Sequence, residues 1–284
     1  MLFWGRLGGA AMTARGAPTP RIASLVPSLT ELVFALGLGE RLVARTGFCV
    51  HPSDRVGAVA KVGGTKDVNL AKLRRLAPTH VLVNVDENRK ETIDAIEAWG
   101  AEAPKIVITH PRDPVDNLAL VDQLATAFAG APGLDEHAAR LRDALADALA
   151  ATRGKGRPTR RVLYLIWHDP WMTVARDTYL SRMFARIGWK TLPDLTGGYA
   201  GAARYPIVTG DEPWLGAVER VLLSSEPFAF QDRHRAAVQA LCPAAKVLRV
   251  DGELLSWYGS RAVAGLRYLR TLVDDDNAAP RSSA

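Results

Sequence analysis

Residues 251–261 read Asp-Gly-Glu-Leu-Leu-Ser-Trp-Tyr-Gly-Ser-Arg, which concentrates acid, aromatic and guanidinium groups in one short stretch. The stretch follows the apolar run 246–250, which reads as a buried strand. In an open α/β sheet, ligands bind beyond the carboxyl ends of strands, so residues 251–261 are expected to form a loop walling a ligand site. Trp257 and Tyr258 offer flat apolar faces with polar tips. Arg261 can grip a carboxylate or phosphate through two parallel hydrogen bonds. The competing reading makes Trp257 and Tyr258 the first buried turn of the last helix.

Other turns share this chemistry. In the first half they are 27–28, 48–51 with Phe48 and His51, 63–66 with Thr65, and 86–89 with Asp86 and Glu87. In the second half Trp167, His168 and Trp171 come first, then 177–179, Arg204 with Tyr205, and Glu226 with Phe228 and Phe230. Such aromatic density suits a flat organic ligand or a metal chelate. His51 and His168, with Asp86, Glu87, Glu226 and Glu253, are also the residue types of a nitrogen and oxygen metal site. Gly63-Gly64-Thr65-Lys66 lacks the spacing of a phosphate loop. No Gly-x-Ser-x-Gly elbow is present, so Ser256 and Ser260 read as hydrogen-bonding residues, and metal-assisted catalysis is the remaining enzyme alternative.

The elements that must position these turns alternate. Apolar runs at 21–26, 42–46, 80–84 and 105–108 predict strands, and helical spacing at 32–36, 70–76, 90–99 and 115–128 predicts helices between them. Ser28 and Glu31 fit a capping box opening the first helix, Gly37 a stop, and Asn69 a cap. From 134 to 152, Leu141, Leu145 and Leu149 recur at helical spacing without a strand, which predicts one long helix. A second round follows, with strands at 161–166, 220–224 and 246–250 and helices at 179–187, 234–241 and 262–272. Alternation of this kind predicts parallel βα units. The helix-end-to-strand patterns at 76–83 and 216–223 echo each other, and each leads into an acidic turn, which predicts two lobes facing one cleft. The expected divisions are an arm at 1–20, a first α/β lobe at 21–128, a bridging helix and linker at 129–158, a second α/β lobe at 159–276 and a tail at 277–284. The arm and tail are expected to be disordered, and a single helical crossing predicts a stiff hinge with modest closure.

Bulk properties narrow the function classes. A chain of 284 residues with 48% hydrophobic content can fill two cores. The net charge of +6 is spread along the chain, and without a basic stripe or reader motif nucleic-acid binding is not expected. Arg157, Arg160 and Arg161 read as a solvated linker. Cys49 and Cys242 provide no disulfide framework or zinc spacing, so two free thiols are expected. Residues 1–20 make a poor secretion signal, because Arg6 and Arg15 bracket a short Gly- and Ala-rich segment and no lipid-attachment cysteine follows. The expected location is periplasmic if the chain is exported, with the cytoplasm as the alternative.

The run Arg21-Ile22-Ala23-Ser24-Leu25-Val26-Pro27-Ser28-Leu29-Thr30-Glu31-Leu32, and the helix and strand from Asn69 to the Leu-Ala-Pro-Thr-His-Val-Leu-Val run, resemble the helical-backbone periplasmic binding proteins of ABC importers. The segments 167–179, 225–234 and 251–261 resemble the branch described as helical-backbone metal receptors. The resemblance implies two Rossmann-like lobes with parallel sheets joined by one long backbone helix. It implies a non-enzymatic monomer without a cofactor of its own, capturing cobalamin or a cobamide, haem or a ferric siderophore for an ABC permease. It points the ligand at Phe48, His51, Thr65, Asp86, Trp167, Trp171, Tyr205 and Trp257. Tyr258 would join the aromatic wall, Arg204 and Arg261 would pair with peripheral carboxylates or phosphates, and His51 or His168 would reach the metal. Asp211 or Glu212 would dock on permease arginines. Two positions depart from the pattern: Thr65 stands near an aromatic position of cobalamin binders, and Ala71 stands where the first-lobe docking acid is expected. Capture of a bare transition-metal ion is the second reading, and a metal-dependent enzyme the third.

Overall fold

The computed structural model describes residues 19–153 and 158–278, apart from the side chains at 275, 277 and 278. Expectations for the arm, for Arg157 and for most of the tail therefore lie outside the described residues. In the first lobe the chain runs β1 (Ile22–Ser24), α1 (Pro27–Ala35), β2 (Leu42–Arg45), β3 (Ala60–Lys61), α2 (Leu70–Arg75), β4 (His80–Asn84), α3 (Lys90–Glu97), β5 (Lys105–Thr109) and α4 (Asp116–Ala127). It continues through α5 (Leu134–Ala151) into β6 (Arg160–Leu165), β7 (Trp171–Met172), α6 (Tyr179–Ala185), β8 (Trp189–Thr191) and β9 (Ile207–Val208). The last elements are β10 (Arg220–Ser224), α7 (Arg235–Leu241), β11 (Lys246–Val250), α8 (Gly252–Ser256) and α9 (Arg261–Ala278).

Five parallel strands form the first sheet in the order β3-β2-β1-β4-β5, and four form the second in the order β11-β10-β6-β8. Their central strands are apolar and buried on both faces, as parallel strands covered by helices must be. Strand order reverses between β1 and β4 in one sheet and between β6 and β10 in the other. Chains leaving the strands on either side of a reversal diverge and open a crevice at their carboxyl ends. Both crevices open on the same space.

One apolar core runs through both lobes. It joins Leu29 and Val33 of α1, Leu120 and Leu124 of α4, and Leu145 and Leu149 of α5 to Tyr164 of β6, Leu222 of β10, and Leu266 and Leu269 of α9. Smaller clusters lie on the far side of each sheet. α5 is the long helix expected from Leu141, Leu145 and Leu149, and its 18 residues span about 27 Å. It packs on α4 and α9, so the lobes share a helical spine instead of hanging from a free linker.

Local signals met mixed outcomes. Asn69 caps α2 by accepting a hydrogen bond from the Lys72 amide at 2.9 Å, and Gly37 ends α1 at a φ of +74° that favours glycine. The capping box at Ser28 does not form, because Pro27 already lies in the helix, Ser28 is buried and Glu31 turns to Arg261. Arg160 and Arg161 are not a solvated linker: they bind Asp276 and Glu219 at the base of the second sheet. Both cysteines are buried, free thiols. No helix among the described residues is long and apolar enough to cross a membrane.

Candidate functional site

Between the two crevices lies a cavity of about 780 Å³. The first lobe lines it with Pro27 and Ser28 after β1, Phe48 and Thr65 beyond β2 and β3, and Asn84, Asp86 and Glu87 at the end of β4. The second lobe answers with Ile166 and Trp167 after β6, Glu226 and Pro227 after β10, and Glu253, Ser256, Trp257 and Tyr258 after β11. These residues lie at or beyond strand ends, the placement that a crevice at a strand reversal dictates.

Residues 251–261 are not a plain loop. Asp251 accepts a hydrogen bond from the Leu254 amide at 3.0 Å and caps α8, whose end presents Trp257 and Tyr258 at 8% and 6% exposure. Their polar tips are used within the protein. The Trp257 indole N–H donates to Glu226 at 2.6 Å, and the Tyr258 hydroxyl donates to Glu87 across the lobes at 2.8 Å. Trp167 stays 41% exposed and Phe48 64% exposed, so apolar faces stand at the cavity on both lobes.

The acids here are desolvated. Burial between the lobes pushes the Glu87 carboxyl up to about 7, against the stabilising hydrogen bond from Tyr258 and with help from the charge of Glu226. Burial also raises Glu226, although Ser256 and Trp257 both donate to it. Lys66 is lowered by burial, partly offset by Glu87 and Asp86, and its ammonium donates to the Asp86 carbonyl at 2.8 Å.

Arg204 lines the cavity but is not free to receive a guest's carboxylate as the sequence suggested. At 1% exposure it pairs with Asp86 at 3.1 Å and donates to the Gly198 carbonyl at 2.8 Å, with Asp177 3.8 Å away. Burial alone would raise Asp177, but amide hydrogen bonds, led by that of Gly197, and the charge of Arg204 outweigh it and hold its carboxyl low. Arg112 of the first lobe reaches Asp177 at 3.4 Å, and Tyr199 packs on His110. His110 sits 3.4 Å from Asp86, yet burial outweighs that attraction and lowers its basicity. Charges of alternating sign thus cross the gap between the lobes.

Of the residues picked from sequence, Phe48, Thr65, Asp86, Trp167, Arg204, Tyr205, Glu226, Trp257 and Tyr258 line the cavity together. Arg261 does not: Glu31 and Glu253 hold its guanidinium at 2.7 and 2.9 Å, above the face of Trp257. His51 stands behind the wall, 3.1 Å from Glu253 and edge-on to Trp257. His168, Trp171 and Phe228 do not line the cavity; they form an aromatic cluster with Phe230 and His234 that touches its wall where Phe228 meets Trp167 edge-on. The expected metal pair is not assembled, and no group of three or more His, Cys, Asp or Glu side chains among the described residues could hold a metal ion. Asp211 and Glu212 lie away from the cavity, where Glu212 accepts hydrogen bonds from the Thr209 and Gly210 amides. Of the remaining lining, Thr178 and Tyr179 fall in the 177–179 turn singled out from sequence, whereas sequence reading missed Tyr164, Val174 and Leu180, which line the cavity from β6, α6 and the segment between them. Their spacing is that of core residues, and nothing local separates the two roles.

The family described as periplasmic binding protein matches residues 22–202. The chain belongs to that family. It is 25% identical over 224 residues to the vitamin B12-binding protein of Vibrio vulnificus, covering 79% of this chain and 75% of that one. Its fold matches the periplasmic vitamin B12 binding protein BtuF of Vibrio cholerae with a TM-score of 0.74 at 20% identity, over 92% of this chain and 99% of that one. The heme-binding protein RhuT of Roseiflexus sp. RS-1 matches with a TM-score of 0.69 at 20% identity, over 90% and 98%. These two likenesses are of fold.

Proposed function

We propose that this protein is the substrate-binding component of an ABC importer, enclosing one metal-bearing organic chelate (cobalamin or a cobamide, haem or a ferric siderophore) between its lobes. The observation that carries the reading is the cavity itself. Its 780 Å³ falls among ligand cavities of about 300–1,000 Å³, and aromatic faces from both lobes meet there. Trp167, Phe48 and Tyr205 would cover the apolar faces of the guest, while Trp257 and Tyr258, fixed by Glu226 and Glu87, would form a rigid wall. Membership of the family, and relatives named for vitamin B12, support a periplasmic receptor without turnover. Asp211 and Glu212 are the second-lobe carboxylates offered to a permease.

Titrating the purified protein with cobalamin, haem and a ferric hydroxamate while following tryptophan fluorescence tests the reading. Saturable quenching by one of them at a 1:1 ratio, weakened at least tenfold in Trp167→Ala, is expected. No saturable response to any of the three would overturn it.

A further inference from the structure

α1 begins at the cavity wall, where Pro27 and Ser28 both line the space. Its first turn holds no acidic residue, and Pro27 leaves the amides of Ser28 and Leu29 as the first donors of the helix. The Thr30 amide bonds the Val26 carbonyl at 3.0 Å, but no acceptor among the described residues meets the two amides before it. The Ser28 side chain adds a third donor. Ser28 is 3% exposed and its Oγ makes no hydrogen bond, while the Tyr258 hydroxyl beside it gives its proton to Glu87. Three donors thus sit together at a helix start, where the peptide dipoles favour negative charge.

A cation stands close by. Asn88 donates to the Leu25 carbonyl at 3.1 Å and to the Thr65 carbonyl at 3.0 Å, which ties the approach to α1 to the turn carrying Lys66. Lys66 lines the cavity, spends one N–H on the Asp86 carbonyl at 2.8 Å and keeps two others, with no carboxylate paired to it among the described residues. The carboxyls that line the cavity are already answered. Arg204 pairs with Asp86, Arg261 and His51 hold Glu253, and Ser256 and Trp257 donate to Glu226. Burial pushes the Glu87 carboxyl up to about 7, so it stays protonated in mildly acidic solution. An acidic group brought to Ser28 would therefore meet an unmatched ammonium together with N–H and O–H donors, and hydrogen bonds assisted by charge are the strong ones.

We infer that the start of α1 and Lys66 form an anion subsite within the cavity, which takes a carboxylate or phosphate on the rim of the guest while Phe48 and Trp167 cover its apolar face. The inference rests on the reading of the cavity as a chelate site. Ser28 and Lys66 are the residues that set the preference for an acidic substituent.

Chelates matched in ring and metal, with and without an acidic arm, provide the test. Calorimetric titrations slightly below neutral pH compare haem with its dimethyl ester, dicyanocobinamide phosphate with dicyanocobinamide, and N-succinyl with N-acetyl ferrioxamine B. In whichever pair binds, the acidic member is expected to bind about tenfold tighter, and the pair that does so tells carboxylate from phosphate. Ser28→Ala and Lys66→Gln should each lower that ratio severalfold, because each removes a donor that the uncharged member does not use. Equal or tighter binding of the uncharged member, or an unchanged ratio in either folded variant, would overturn the inference while leaving the chelate reading intact. Failure of every probe would overturn both.

Discussion

Glu87 is where the two lobes become chemically one site. Its carboxyl, pushed up to about 7 by burial, keeps a proton between pH 4.5 and 7 that the unfolded chain has already released. Stability from this group is therefore full below pH 4.5 and declines as pH rises through 7, by at most about 3 kcal/mol. Glu87→Gln abolishes that titration. The difference between wild-type and Glu87→Gln urea midpoints, followed from pH 5 to 8, should shift steadily in favour of the variant, and a flat difference would show that Glu87 does not titrate there. Tyr258→Phe removes the donor to the Glu87 carboxylate and is expected to cost about 1–3 kcal/mol in urea denaturation. It should also move the Glu87 titration to still higher pH, because that hydrogen bond is what holds it down. Trp257, Tyr258 and Glu226 were legible in sequence because acid and aromatic groups after a strand announce a crevice. Arg261 was misread because its partner Glu31 lies 230 residues away, and local spacing cannot show that a charge is already matched.

At the scale of elements, strands were legible where a run was long and apolar enough to be buried on both faces. β10 and β11 fall where the sequence places them, at Arg220–Ser224 and Lys246–Val250. The pieces β3, β7, β8 and β9 have two or three residues each, too few for any period to show, and only their pairing partners create them. α8 was hidden for a similar reason, since its five residues complete little more than one turn. α5 was plain, and its Leu145 is fully buried in the core common to both lobes. Leu145→Ala is expected to cost about 2–5 kcal/mol. Because that core is continuous, fluorescence and circular dichroism should still report one coincident urea transition, where separately melting lobes would give two.

Across the whole molecule, the lobes are stitched together on several levels. Asn117 of α4 donates to the Tyr179 hydroxyl at 3.0 Å and accepts the Gly259 amide at 2.6 Å. Gly259 itself sits at a φ of +77° against Leu32 of the other lobe, where an added Cβ would come within 3.3 Å. The Asp86–Arg204–Asp177–Arg112 chain closes one side of the gap. Arg204→Ala leaves Asp86 without its guanidinium in that seam, while Asp177 keeps Arg112 and the Gly197 amide, and should cost about 3–5 kcal/mol by urea denaturation. With a shared core and these bridges between the lobes, small closure on binding is the expected outcome. We propose that one guest is gripped from both sides at once. Hydrogen exchange with and without a saturating chelate tests it most directly. Simultaneous protection is expected at residues 47–50, 65–66 and 84–87 in the first lobe and 166–167, 226–227 and 253–258 in the second. Protection confined to one lobe, or centred on the His168, Trp171 and Phe228 cluster, would contradict it.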